Sequence, residues 1–114
     1  MPDESRTCTY DVNVVSYIMI INFADKGTED LFNGFDTKAA RRIPQRIWKS
    51  AILRLDALDG AKQLQDLKFP PGNRLEALKG NLSGFHSIRI NDQFRIIFRW
   101  LDGDIHDVEI TDYH

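Results

Sequence analysis

The C-terminal part of the chain leaves little topological choice. "FHSIRI" (85–90), "FRIIFRW" (94–100) and "DIHDVEITDYH" (104–114) read as strands, and only "NDQ" and "LDG" separate them. Connections this short join antiparallel neighbours, so the three runs predict a meander. Side chains alternate between the two faces of a strand. Phe94, Ile96, Phe98 and Trp100 therefore point one way, and Arg95, Ile97 and Arg99 the other. The apolar set marks the core face. Ile88 and Ile90 join it, which leaves Ser87 and Arg89 on the open face.

Turn length sets the register. A two-residue Asp102-Gly103 loop would put Val108 and Ile110 on the open side and bury Glu109. A three-residue Asp102-Gly103-Asp104 loop sets Phe98 against Val108, Ile96 against Ile110, and Arg99 against Asp107 as an opposite-charge pair. The second register is the expected one, because a one-residue slip inverts every side chain. It also sets Tyr113 on the open face near Gln93 and Arg95. A three-residue loop at 91–93 places Arg89 directly across from Arg95. Like charges so placed repel. Either an anion lies between them or both guanidiniums splay into water.

Upstream, "IPQRIWKSAILRLDALDG" carries Ile47, Ala51, Leu55 and Leu58 at helical spacing, widened by Trp48 and Ile52. Pro44 suits a first turn and Gly60 a stop. Arg42, Arg46, Lys49 and Arg54 fall largely on the other side, as a solvated face or one that meets an RNA backbone. A shorter helix in "ADKGTEDLFNG" has Asp25 or Thr28 as candidate caps and Gly34 as its end. "AKQLQDLKFPPGNRLEALKGN" begins as a weak helical turn and is broken by its prolines and glycine. "MIINF" (19–23) makes a good first strand. Residues 1–18 read either as an appendage before a start at Met19 or as part of a longer N-terminal strand. The order strand, helix, helix, long loop, three strands is an α+β layout, with two or three helices packed on one sheet face.

A chain of 114 residues fits one domain with one core. One cysteine, Cys8, excludes an intramolecular disulfide, and a chain with no signal peptide fits a reducing cytoplasm. No apolar run approaches the ~20 residues of a membrane span. The net charge of −2 does not announce a nucleic-acid binder. Asp3, Glu4, Asp11 and Arg6 account for all of it, so the remainder is neutral and distribution must decide.

Chemistry gathers at one end of the open face. Arg89 and Arg95 face each other, Tyr113 and His114 end the strand beside them, and Lys79 lies on the turn leading into the sheet. Arg74, in the Pro-Gly-rich loop, reaches the same rim. Guanidiniums clamp phosphate oxygens, lysine stabilises developing charge, histidine moves a proton near neutral pH, and tyrosine stacks on a base. This set suits phosphoryl chemistry without a metal or other cofactor. His86 reads as a partly buried or rim histidine, and His106 sits beside a turn. Neither has carboxylates at ligand spacing.

"PPGNRLEALKGNLSGFHSIRINDQFRIIFRW" followed by a terminal "DYH" resembles the HigB group of bacterial toxins, within the RelE/ParE superfamily. The likeness covers about residues 19–114, with 1–18 outside the pattern. It implies a RelE/ParE-like domain and a metal-independent toxin of a type II toxin–antitoxin pair. Such a toxin enters the ribosome and cleaves mRNA, and a HigA-like helix-turn-helix antitoxin neutralises it and carries it to operator DNA. The resemblance puts the active-site lysine on Lys79, the phosphate-binding arginine on Arg95, and the terminal tyrosine and histidine on Tyr113 and His114. Arg74, Arg89 and Gln93 are expected RNA contacts. Some HigB toxins have a histidine where this chain has Glu76, which implies weaker or differently selective activity. Two alternatives stay open. One is a ParE-like toxin that poisons DNA gyrase without catalysis, and the other an inactive homologue kept for operon control.

Overall fold

The computed structural model describes residues 19–112. The readings made for 1–18, and for Tyr113 and His114, fall outside the described residues.

Helix α1 (Lys26–Phe32) begins where expected. The Asp25 carboxylate accepts the Thr28 N–H at 3.2 Å and so satisfies one of the free amides of the first turn. Its other end closes on Gly34, whose φ of 83° lets Gly34 N–H reach Leu31 O (3.1 Å) and Phe35 N–H reach Asp30 O (2.8 Å). The buried Asp30 carboxylate accepts the Thr37 hydroxyl at 2.6 Å, and that bond holds its pKa below the usual range against the cost of burial.

Helix α2 (Trp48–Gly60) buries Ile47 at its cap and then Ala51, Leu55 and Leu58, as their spacing predicted. Pro44 sits one turn earlier than expected, ahead of a 3-10 turn at Gln45–Ile47. The Trp48 indole N–H ties this entry to the Ile43 carbonyl at 2.7 Å. The apolar side of α2 joins Leu31, Leu67, Ile88, Ile96, Phe98, Ile105, Val108 and Ile110 in one core between helices and sheet.

The sheet has four antiparallel strands in the order β1 (Glu76–Ala77), β2 (Phe85–Arg89), β3 (Phe94–Leu101) and β4 (Asp104–Asp112). The meander is β2–β3–β4. β1 is an addition drawn from the loop that the sequence marked as irregular. The expected first strand is present only as two parallel bridges to β4, Ile20 to Ile105 and Phe23 to Val108. Between those bridges the Asn22 side-chain oxygen accepts the Asp107 N–H at 2.6 Å.

Asp107 also corrects the register. Its φ is 55°, and the ladder shifts there by one residue. On the turn side, Leu101 faces Asp104 and Trp100 faces Ile105 around a two-residue Asp102-Gly103 turn with both φ positive. Beyond the bulge, Ile96 faces Ile110 and Arg95 faces Thr111, as the three-residue reading predicted. Each register holds on one side of the bulge. The extra residue switches phase, so Ile105, Val108 and Ile110 are all buried despite their mixed spacing. Arg99 and Asp107 form the expected ion pair at 3.6 Å.

Candidate functional site

The hairpin between β2 and β3 has the predicted geometry. Asn91 organises its loop, its side-chain oxygen accepting the N–H groups of Gln93 (2.8 Å) and Phe94 (2.7 Å). Regular pairing from that loop sets Arg89 directly across from Arg95. The structure relieves their repulsion by a route the sequence did not suggest. Arg89 turns to the Asp92 carboxylate in the loop. Arg95 folds down against the sheet.

Arg95 is 8% exposed, so the face expected to be open is covered at this point. Its Nε donates to the Ser87 hydroxyl at 2.8 Å, and its Nη2 donates to the Arg74 carbonyl at 2.8 Å. The Glu76 carboxylate lies 3.5 Å from the same Nη2. These contacts offset the cost of removing a guanidinium from water. They depend on β1 and on the 3-10 turn Pro71–Asn73 before it. Arg74 ends that turn in a left-handed conformation (φ 48°), which presents its carbonyl to Arg95.

Helix α2 and the 3-10 turn before it approach the same hairpin. The Arg54 Nε donates to the Arg89 carbonyl at 2.6 Å, and the Arg46 Nη2 donates to the Gln93 side-chain oxygen at 3.2 Å. Burial first, and then the nearby Arg89 charge, lower the Arg54 pKa. Gln93 in turn donates to the Asp112 carboxylate at 3.0 Å. Asp112 faces Phe94 in the ladder, so the end of β4 lies at the arginine end of the sheet.

Arg74, Arg89, Gln93 and Arg95 are thus brought together. Lys79 is not among them. The chain leaves the sheet at Leu78, which bonds Phe85 on the row of Arg99. That row is four residues, or roughly 13 Å, along the strands from Arg95. Lys79 follows it, exposed, at the start of the 3-10 turn Gly80–Leu82. His86 lies on the core side, stacked on Phe98 at 5.9 Å, and burial lowers its pKa. On the arginine side of the sheet Glu109 faces Ile97; burial, and then the charge of Asp25, raise its pKa.

The sequence reading missed Asn73, Asp112 and the functional side of Ser87, and it marked Glu76 only as a departure from the resemblance, without its contact to Arg95. Alternation already placed Ser87 beside Arg95. Nothing periodic marks Glu76 or Asn73, because they lie in a loop brought back by long-range contacts.

The family model described as "RelE-like toxin of type II toxin-antitoxin system HigB" matches residues 21–114. Toxin HigB-1 of Vibrio cholerae is 46% identical over 85 residues, covering 75% of this chain and 87% of that protein. Endoribonuclease HigB of Proteus vulgaris is 31% identical over 96 residues, covering 84% of this chain and all (100%) of that protein. Among solved structures, the YoeB dimer from Staphylococcus aureus is 21% identical, with a TM-score of 0.48 and coverage of 87% of this chain and 99% of that one.

Proposed function

The chain belongs to the HigB-like family of RelE-type toxins of type II toxin–antitoxin systems, and we propose that it is a ribosome-dependent endonuclease that cuts mRNA in the cytoplasm. The observation that carries this reading is the arginine end of the sheet. Arg74, Arg89, Gln93 and Arg95 meet there, and β4 reaches the same end through Asp112. The curated relative from Proteus vulgaris is named an endoribonuclease.

In the proposed reaction an mRNA 2′-oxygen attacks the adjacent phosphorus. The 2′-proton passes to a base, the P–O5′ bond breaks, and the leaving 5′-oxygen takes a proton. Arg95 and Arg89 hold the phosphate oxygens as negative charge grows on them. His114 serves as the acid or base and Tyr113 stacks on or orients a nucleotide. The resemblance also gives Lys79 a transition-state role, but Lys79 follows the row of Arg99, away from Arg95, and this reading gives it no contact with that phosphate. Its partner is a HigA-like helix-turn-helix antitoxin, through which it also reaches operator DNA.

The test is to express the toxin alone and map RNA ends. Codon-associated 5′ ends support the reading, and their loss in an Arg95→Ala variant ties them to this site. Intact mRNA with DNA damage would instead indicate a gyrase poison.

A further inference from the structure

An arginine that stabilises a transition state must present its N–H groups in a fixed direction. The guanidinium is planar and its donors form a rigid fork, so holding one edge of the plane sets where the other edge points. The contacts of Arg95 described above hold one edge, through Nε and Nη2. We infer that Ser87 and Asn73 are positioning residues for Arg95, a deepening that rests on the proposed RNA cleavage.

Ser87 acts directly. It is 0% exposed, sits two residues along β2 from Arg89, and its hydroxyl accepts Arg95 Nε–H at 2.8 Å. Ser87 lies on the face of β2 opposite the core residue Ile88, so its burial adds little to the core. Its hydroxyl fixes the rotation of the guanidinium plane.

Asn73 acts at one remove. It is 2% exposed, and its amide donates to the carbonyls of Leu67 (3.2 Å) and Phe69 (3.1 Å). Its own N–H reaches Pro70 O at 2.9 Å. These three bonds close the "KFPPGN" loop on itself. The residue that follows is Arg74, whose carbonyl receives Arg95 Nη2. Asn73 thereby holds the second point that defines the plane. No substitute with a single donor, or with a carboxylate, can make both side-chain bonds.

The test uses the full chain on mRNA-programmed ribosomes under single-turnover conditions. Ser87→Thr and Ser87→Val have nearly the same shape and differ in the hydroxyl. The valine variant should cleave at least about tenfold more slowly than the threonine variant, with KM little changed, since small misplacements of a catalytic group lower rate strongly. Ser87→Ala should also be slow while unfolding cooperatively near the wild-type temperature, and Asn73→Asp should be slow and unfold at a lower temperature, because its carboxylate would face the Leu67 and Phe69 carbonyls. The decisive variant is the double mutant: with Arg95→Ala already present, Ser87→Ala should slow cleavage by no more than about twofold. Equal losses in the two backgrounds would make Ser87 merely structural and overturn the inference. So would wild-type rates for Ser87→Ala and Asn73→Asp beside an inactive Arg95→Ala. Full activity of Arg95→Ala would overturn the proposed function itself.

Discussion

The two hairpins of the meander share strand β3 but solve different problems. β2–β3 pairs without a break from Phe85–Arg99 to Arg89–Arg95, and an asparagine-organised loop ends it. β3–β4 is broken at Asp107, whose positive φ moves the register by one residue. The regular hairpin keeps two arginines opposite each other and builds a polar network around them. The broken one gives up regularity so that Ile105, Val108 and Ile110 all reach the core and the 19–23 segment can dock alongside. One hairpin carries the residues of the proposed site, and the other carries shape.

That division predicts which substitutions change activity and which change stability. The largest effect belongs to His114, which carries the proposed acid–base role. Deleting His114 removes the proposed acid–base group and should lower mRNA cleavage by about 10²–10⁴-fold with an unchanged unfolding temperature. A tag fused after His114 should impair activity much more than one before Met1. Arg89→Ala should follow, with a loss of about tenfold in cleavage rate, because Arg89 faces Arg95 in the proposed site but is partly engaged by Asp92.

In the broken hairpin the effects should appear in stability instead. Asp107→Val forces a β-branched residue to φ 55° and should cost about 1–3 kcal/mol in thermal unfolding, with cleavage at 25 °C retained. Asp107→Gly should lose much less, since glycine accepts that conformation. The smallest effect concerns Glu109. The fold raises its pKa above the ordinary 4.5, so the folded protein binds this proton more tightly than the unfolded chain does. The ionised carboxylate therefore costs stability, and the cost appears as pH rises through that raised value. Glu109→Gln should stabilise the protein at pH 7 by less than about 1 kcal/mol, because the site is partly solvated, and the gain should vanish below pH 4.5. Urea unfolding at both pH values measures it.

The regular hairpin was legible from sequence, since alternation and loop length alone put Arg89 across from Arg95. The buried stripe of α2 was equally plain from periodicity, and capping chemistry narrowed the cap of α1 to Asp25 or Thr28, of which the structure uses Asp25. The broken hairpin was half legible. Ile105, Val108 and Ile110 are spaced by three and then two, a change of phase that one unbroken strand cannot satisfy. A single register was forced on them, where a bulge admits both. The contacts of Arg95 with Glu76 and with the Arg74 carbonyl were not legible. They depend on where a proline-rich loop returns to the sheet, and no periodic signal carries that. Lys79 was expected near Arg95 from its place in the motif, yet sequence proximity to β1 says nothing about which row of the sheet it joins.

Arg95 and Arg99 give the most direct test of the central claim. They lie on the same side of β3, one in the network of the regular hairpin and the other paired with Asp107 in the broken one. Single-turnover cleavage of ribosome-bound mRNA should fall by at least about 10²-fold in Arg95→Ala and by less than about threefold in Arg99→Ala. Equal losses in the two variants, or a greater loss in Arg99→Ala, would contradict the placement of the active site at the arginine end of the sheet.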